Sequence, residues 1–254
     1  MFVGAGDIAM CDANSAATAR LLDGIGGTVF ALGDNAYFSG TRDEFARCYE
    51  PTWGRHKLRT RPVPGNHDYE SPVAAPYFAY FGASAGPTGL GYYSFDLGAW
   101  HVVAMNSNIA IQAGSAQWSW LRQDLAANRS KCLLAYWHHP LFTSGPDGST
   151  TAVRDIWRLL YEAGAELVLN GHEHLYERFA PQDPDGRSDA GQGIRQIIVG
   201  TGGAVLYSPL APVANSDVRL SAFGVLKLTL VTDGYQWEFV PVSGRADAGA
   251  ASCH

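Results

Sequence analysis

The stretch Leu167-Val168-Leu169-Asn170-Gly171-His172-Glu173-His174 decides how the chain is read. Three apolar residues make a short strand that ends about where Asn170 begins. Two histidines at i and i+2 follow at once. They therefore lie near the carboxyl end of a strand, the edge where α/β sheets place their ligands. Neutral imidazole is the commonest metal ligand. Taken alone, the pair reads equally well as two exposed loop histidines. What separates the two readings is the rest of the chain, which sets further ligand-type residues at the ends of other strands.

Moving outward, Met1 to Gly4 reads as a short buried strand running into Gly6-Asp7. Thr28 to Leu32 is a strand ending in Gly33-Asp34-Asn35-Ala36-Tyr37. Arg61 to Val63 is extended and runs into Gly65-Asn66-His67-Asp68. Cys132 to Trp137 is a continuous apolar strand leading to His138-His139-Pro140. Helices fall between them: Ala16 to Leu22, capped by Asn14 or Ser15 and stopped by Gly24; a capping box at Thr41 opening a helix through Tyr49; a helix after Ser115; and Val153 to Ala163, stopped by Gly164. Tyr92 to Leu97 and Trp100 to Met105 read as a hairpin. Tyr69 to Gly91 is loop-rich, with Tyr77, Phe78, Tyr80 and Phe81 expected to pack there. After His174 the helical signal ends, and Arg195 to Val199, Val225 to Val231 and Gln236 to Val240 read as strands. The pattern predicts an α/β (α+β) chain, a four-layer α/β/β/α sandwich of two mixed sheets flanked by helices. We expect a single domain over residues 1–242 and a polar tail over 243–254.

The chain has 254 residues, 46% of them hydrophobic, enough for a sizeable core. Its net charge of −6 argues against a nucleic-acid face, so a phosphate substrate must be held by a local site. No apolar run is long enough to span a membrane. Cys11, Cys48, Cys132 and Cys253 show no CxxC spacing, which weakens a zinc-knuckle reading. Cys11 and Cys48 each follow a motif-bearing strand end, so they are expected to pair. A Cys132–Cys253 bridge would then staple the tail; the competing reading is four free thiols in a cytosolic protein. Disulfides imply a secreted or periplasmic location. No signal peptide is read at the start, and the apolar run Met1-Phe2-Val3 leads us to expect a domain trimmed at its first strand.

Five of the eight histidines fall in the strand-end motifs, and His56, His101 and His254 are assigned surface or structural roles. The ordered set Asp7, Gly-Asp34-Asn-Ala-Tyr37, Gly-Asn66-His67-Asp68, His138-His-Pro140 and Gly-His172-Glu-His174 resembles the calcineurin-like metallophosphoesterases, and within them the purple acid phosphatase branch. Gly200-Thr201-Gly202-Gly203 is similar to that family's late glycine turn. The resemblance implies two metal ions. Asp34 would bridge them. Asp7, Tyr37 and His174 would complete the first site, and Asn66, His138 and His172 the second. Ala9 stands where many wider relatives carry a histidine, whereas Tyr37 matches the purple acid phosphatases. A phenolate is a hard anionic donor, which implies Fe(III) in the first site, with Zn(II), Mn(II) or Fe(II) in the second.

The resemblance also implies a reaction. A hydroxide on the metal pair attacks phosphorus in line, and His67 in the outer sphere neutralises charge and protonates the leaving oxygen. Asp68 is a candidate to orient His67, and His139 to contact substrate. Glu173 is expected to point away. The substrate is expected to be a small phosphomonoester, with a phosphodiesterase as the nearest rival and a catalytically inactive phosphate-binding module as the reading from another class. Tyr69 to Gly91 and Tyr207 to Asp217 are expected to shape the pocket.

Overall fold

The computed structural model describes residues 1–254. The first part alternates strand and helix: β1 (Phe2–Ala5), α1 (Ala13–Asp23), β2 (Thr28–Leu32), α2 (Arg42–Glu44, continued as π-helical turns over Phe45–Tyr49), β3 (Thr60–Val63), α3 (Asn66–Glu70) and α4 (Ala75–Phe81). The hairpin of β4 (Tyr93–Leu97) and β5 (Trp100–Ala104) leads to α5 (Ala116–Ala127), β6 (Cys132–Tyr136), α6 (Arg154–Glu162) and β7 (Leu167–Asn170). Strands then dominate: β8 (Tyr176–Phe179), β9 (Arg195–Val199), β10 (Ser216–Leu220), β11 (Gly224–Val231), β12 (Gly234–Pro241) and β13 (Asp247–Ser252).

These strands form two mixed sheets, ordered β13-β12-β11-β1-β2-β3 and β10-β8-β9-β7-β6-β5-β4. β1, β2 and β3 run parallel, as do β5, β6, β7 and β9. All the motif-bearing strands belong to these parallel sets, so each sheet delivers its motif loops at one end.

Alternation along the strands makes the layers. Leu134, Tyr136, Leu167 and Leu169 face the other sheet and meet Phe2, Phe30 and Leu226 in the central core. Their neighbours Leu133, Ala135 and Val168 face outward and pack with Leu121 of α5 and Ile156, Trp157 and Leu160 of α6. Both faces of the second sheet are thus covered, as parallel strands require. The expected four-layer sandwich is the fold observed.

Several local expectations are corrected. α1 begins at Ala13 and is capped by Asp12, whose carboxylate accepts from Asn14 N at 2.9 Å. Asp12 lies before the apolar pattern starts, and a cap is read from that pattern. The Tyr69 to Gly91 region is largely helical, with α4 and short turns of 3₁₀ helix over Pro72–Ala74 and Gly82–Ala85. Burial of Tyr77, Phe78 and Phe81 holds those turns despite their Pro and Gly. β8 and β10 were hidden by charge: Glu177 is buried, accepting from Ser144 N at 2.8 Å, and Arg178 is paired with Asp247. Residues Asp247–Ser252, read as tail, form the edge strand β13 paired with β12. An Ala- and Gly-rich run has little strand propensity of its own, so pairing and its covalent anchor define it. That anchor is Cys132–Cys253, and the second bridge is Cys11–Cys48; both are the expected pairs.

Candidate metal centre

The two sheets are joined where their motif loops meet. Gly6 N, leaving β1, donates to Val199 O at the end of β9 (2.8 Å), and Gly202 N donates back to Gly6 O (2.9 Å). Ala204 N donates to Asp7 O at 2.9 Å, so the late glycine turn braces the Asp7 loop. Close approach needs glycine here. A Cβ on Gly171 would lie 2.7 Å from Asp7 Oδ2, and one on Gly65 would lie 2.1 Å from Asp34 Oδ1. Asp7, Asp34 and His172 themselves sit at φ of 59°, 50° and 71°. For non-glycine residues this left-handed backbone costs on the order of 1 kcal/mol each, and it aims their side chains inward.

The loops bring together all seven residues expected as ligands, in two groups. In the first, Tyr37 Oη lies 3.0 Å from Asp7 Oδ1, 3.1 Å from Asp34 Oδ2 and 3.1 Å from His174 Nε2. His174 Nδ1 donates to Val205 O at 2.8 Å, so Nε2 of the neutral ring is a bare lone pair. In the second, Asn66 Oδ1 lies 3.0 Å from His138 Nε2 and 3.1 Å from His172 Nδ1, and those two nitrogens are 3.3 Å apart. His138 Nδ1 donates to Leu32 O at 2.7 Å, again turning the other nitrogen inward. Asp34 Oδ2 belongs to both groups, being 3.4 Å from His138 Nε2. Its other oxygen is occupied, accepting His67 N at 2.8 Å. One oxygen, rather than two, therefore faces both sites.

This donor set fits metal ions. One phenolic proton faces three acceptor atoms, and in the second group Asn66 Oδ1 and His172 Nδ1 converge on His138 Nε2, where a proton shared with Asp34 stands in the metal-free protein for a cation. Crowding acceptors this closely without a cation is repulsive. Burial, then the Asp7 and Asp34 charges, push the Tyr37 phenol well above its usual range, so a phenolate there requires a compensating cation. Asp34 is buried, yet the His138 and His67 contacts hold its carboxyl low. Burial pulls His138 down, but Asp34 outweighs it and lifts the ring to about 9.

His67 lies beside the first group. Its Nδ1 donates to Phe38 O at 2.6 Å, and its Nε2 faces inward, 3.9 Å from Asp34 Oδ2. Phe38, not Asp68, fixes this orientation. Asp68 instead accepts from Gly65 N (2.9 Å) and Asn35 Nδ2 (2.9 Å), clamping the Asp34 loop to the Asn66 loop. Burial, then the Asp34 charge, raise Asp68 to about 7. His139 Nδ1 meets Ser107 Oγ at 2.7 Å, and its ring lies 4.5 Å from that of His172. Burial and the neighbouring imidazoles push His139 down to about 2, so it is neutral.

Sequence reasoning missed Ser107, Asn106 and Asn108, which follow β5. Asn108 Nδ2 donates to Pro64 O at 2.9 Å, tying a sixth strand end to the site. A strand ending in Asn-Ser-Asn was the available signal. Tyr207, the first residue of the segment expected to shape the pocket, stacks its ring on His174 at 4.3 Å.

Residues 2–176 match the calcineurin-like phosphoesterase family. Purple acid phosphatase 15 of Arabidopsis thaliana is 31% identical over 156 residues, covering 51% of this chain and 29% of that protein. Purple acid phosphatase 21 of the same plant is 29% identical over 263 residues, covering 91% of this chain and 57% of that protein. The solved structure of purple acid phosphatase PPD1 from yellow lupin (Lupinus luteus) superposes with a TM-score of 0.79 at 19% identity, over 99% of this chain and 53% of that one. The chain thus spans well under two thirds of these relatives. Fold, motif order and the match over residues 2–176 agree: the chain belongs to the calcineurin-like phosphoesterase family, and within it is similar to the purple acid phosphatases.

Proposed function

We propose that the chain is a phosphohydrolase with a dinuclear centre, acting on phosphomonoesters. The observation that carries this reading is Asp34 Oδ2, which lies in both donor groups at once. Asp7, Asp34, Tyr37 and His174 would hold one ion, and Asp34, Asn66, His138 and His172 the other. The phenolic oxygen of Tyr37 favours Fe(III) in the first site, and the nitrogen-rich second site suits Zn(II), Mn(II) or Fe(II). Bound, the pair supplies Lewis acidity, acidifying water and neutralising the phosphoryl oxygens.

The protein's own residues do the rest. His67 carries a hydrogen on Nδ1 toward Phe38 O, so Nε2 is the atom that faces substrate. Protonated, Nε2–H donates to a phosphoryl oxygen and then to the departing alkoxide. His139, neutral and held by Ser107, supplies a polar contact for the ester on the side of His172. Asp68 keeps the Asp34 and Asn66 loops in register. Two disulfides support an oxidising, extracytoplasmic compartment.

The test combines metal analysis, a visible spectrum and turnover on chromogenic mono- and diesters side by side. The proposal expects two metals per chain, a tyrosinate–Fe(III) charge-transfer band and faster monoester hydrolysis. An active, colourless, iron-free protein preferring the diester would replace it with the phosphodiesterase reading. A protein that binds phosphate without turnover would make it an inactive binding module.

A further inference from the structure

Four of the imidazoles at the centre are anchored through Nδ1, and their partners differ in kind. His67, His138 and His174 each meet a backbone carbonyl: Phe38 O at 2.6 Å, Leu32 O at 2.7 Å and Val205 O at 2.8 Å. A carbonyl only accepts, so Nδ1 carries a hydrogen and Nε2 is left for a metal or a proton. His139 is the exception, because its Nδ1 meets a hydroxyl, Ser107 Oγ, at 2.7 Å.

The direction of that bond follows from what else the hydroxyl does. Ser107 Oγ accepts the backbone N–H of His139 at 3.2 Å and makes no hydrogen bond with the protein beyond these two. A serine hydroxyl has one hydrogen to give. Its only acceptor here is His139 Nδ1, which places the hydrogen of the neutral imidazole on Nε2. That ring stands at the second donor group. Its centroid is 4.5 Å from that of His172 and 4.9 Å from that of His138, and a ring nitrogen of His139 lies within 4.8 Å of theirs. His139 is thus near enough to be taken for a ligand, yet its hydroxyl partner gives Nε2 the opposite polarity to the rings held by carbonyls.

The loop after β5 presents Ser107 in one position. Gln117 of α5, buried like Asn106, grips both sides of the Asn106 backbone: its Oε1 accepts Asn106 N at 2.7 Å, and its Nε2 donates to Asn106 O at 2.9 Å. Asn106 Nδ2 donates to Leu90 O at 2.8 Å and to Tyr69 Oη at 2.9 Å, and Asn106 Oδ1 accepts Asn108 N at 3.0 Å. With Asn108 Nδ2 on Pro64 O, the backbone is fixed on either side of Ser107.

We propose that Ser107 is a positioning residue that fixes the Nε2–H tautomer of His139, so that His139 serves as a neutral N–H donor to a phosphoryl oxygen rather than as a further metal ligand. The hydrogen is shared in a hydrogen bond and not transferred. This rests on the phosphate-binding reading of the centre given above.

The experiment uses the Zn(II)-loaded protein with isotope-labelled histidine rings, and inorganic phosphate as the ligand. Nitrogen resonances, assigned by their loss in His139→Ala, are expected to show His139 with a bare Nδ1 and a hydrogen on Nε2. A hydrogen on Nδ1, or a metal-bound Nε2, overturns the inference. By calorimetry His139→Ala should bind phosphate about tenfold more weakly, the worth of one hydrogen bond to a charged oxygen, with both metals retained. Ser107→Ala should mix the tautomers and weaken binding about threefold to fivefold, and Ser107→Thr, which keeps the hydroxyl, should restore both. Because Ser107 acts through His139, the double variant should bind about as weakly as His139→Ala alone. An unchanged tautomer and affinity in Ser107→Ala, additive losses in the double variant, or loss of metal in His139→Ala each overturn the inference. Phosphate bound with this tautomer but no ester turned over refutes the esterase reading and keeps this one. Ester turnover with the hydrogen on Nδ1 does the reverse, and a wild type that binds no phosphate counts against both.

Discussion

The two ends of the parallel strands are built on opposite terms. At the carboxyl ends, acceptor atoms crowd within about 3 Å of one another, and Asp7, Asp34 and His172 adopt left-handed backbone. At the amino ends the groups are matched. Cys132, which opens β6, is bridged to Cys253. Glu166, just before β7, receives His254 N at 2.9 Å. His101, near the start of β5, lies between Asp96 (2.8 Å) and Asp124 (2.9 Å). One end gathers buried acceptors on left-handed backbone, and the other holds the anchors that let the chain tolerate it.

The sharpest way to break this contrast is Asp34→Asn. Turnover should fall about 10³-fold or more, with loss of both metals. The metal-free variant should also melt lower than metal-free wild type, because Asp34 is the ionised partner that holds the buried His138 ring protonated; an unchanged melting temperature would show that this pair adds nothing to the fold. Next, His174→Ala should abolish any visible charge-transfer band directly, whereas His172→Ala should first empty the second site and keep the band. Metal analysis with spectra separates the two, and identical behaviour would dissolve the two-group description. His67→Asn is expected to lower kcat about 10²–10³-fold with metal content unchanged. Loss of metal in that variant would move His67 into the donor set.

The anchoring end is tested by stability. Replacing Cys132 and Cys253 by serine opens a link spanning 121 residues and should cost about 4 kcal/mol in denaturant unfolding, while kcat of the folded enzyme stays within about twofold. The smallest effect is at His101. Its pKa is raised above the ordinary value, chiefly by Asp124 and then by Asp96, against the pull of burial. A raised folded pKa gives stability that is full below about pH 6.5 and lost as pH climbs through the folded value. Wild type should therefore lose about 1 kcal/mol more than His101→Asn does between pH 6 and pH 9, the difference isolating this histidine from the other groups that titrate in that window.

The reacting end was the more legible in sequence. Motif residues stand next to the strands that carry them, so Asp7, Asp34, Asn66, His138 and His172 could each be placed at a strand terminus. The Cys11–Cys48 pair was expected from the same placement, whereas Cys132–Cys253 was expected only as a bridge that would staple the tail. What stayed hidden depends on distant partners. β13 has no intrinsic strand signal and exists through β12. β8 contains Glu177 and Arg178, whose burial is compensated by Ser144, Asp217 and Asp247. Asp68 was assigned to its neighbour His67 because they are adjacent, yet on α3 its carboxylate turns to Asn35, thirty-three positions away. Adjacency in sequence predicts the address of a side chain better than its direction.

The hydrogen bonds between Gly6 and the Val199 to Gly202 turn have a consequence for assembly. They close only when the first strand of the chain meets a strand nearly two hundred residues later. The donor atoms themselves run from Asp7 to His174, so no local segment contains even one complete group. Such non-local closure is slow, because loop entropy is lost before the contacts form. Metal-binding competence should therefore arise late in folding, once the two sheets have docked. Metal uptake during refolding would then serve as a clock for that docking step, running behind the secondary structure of either sheet.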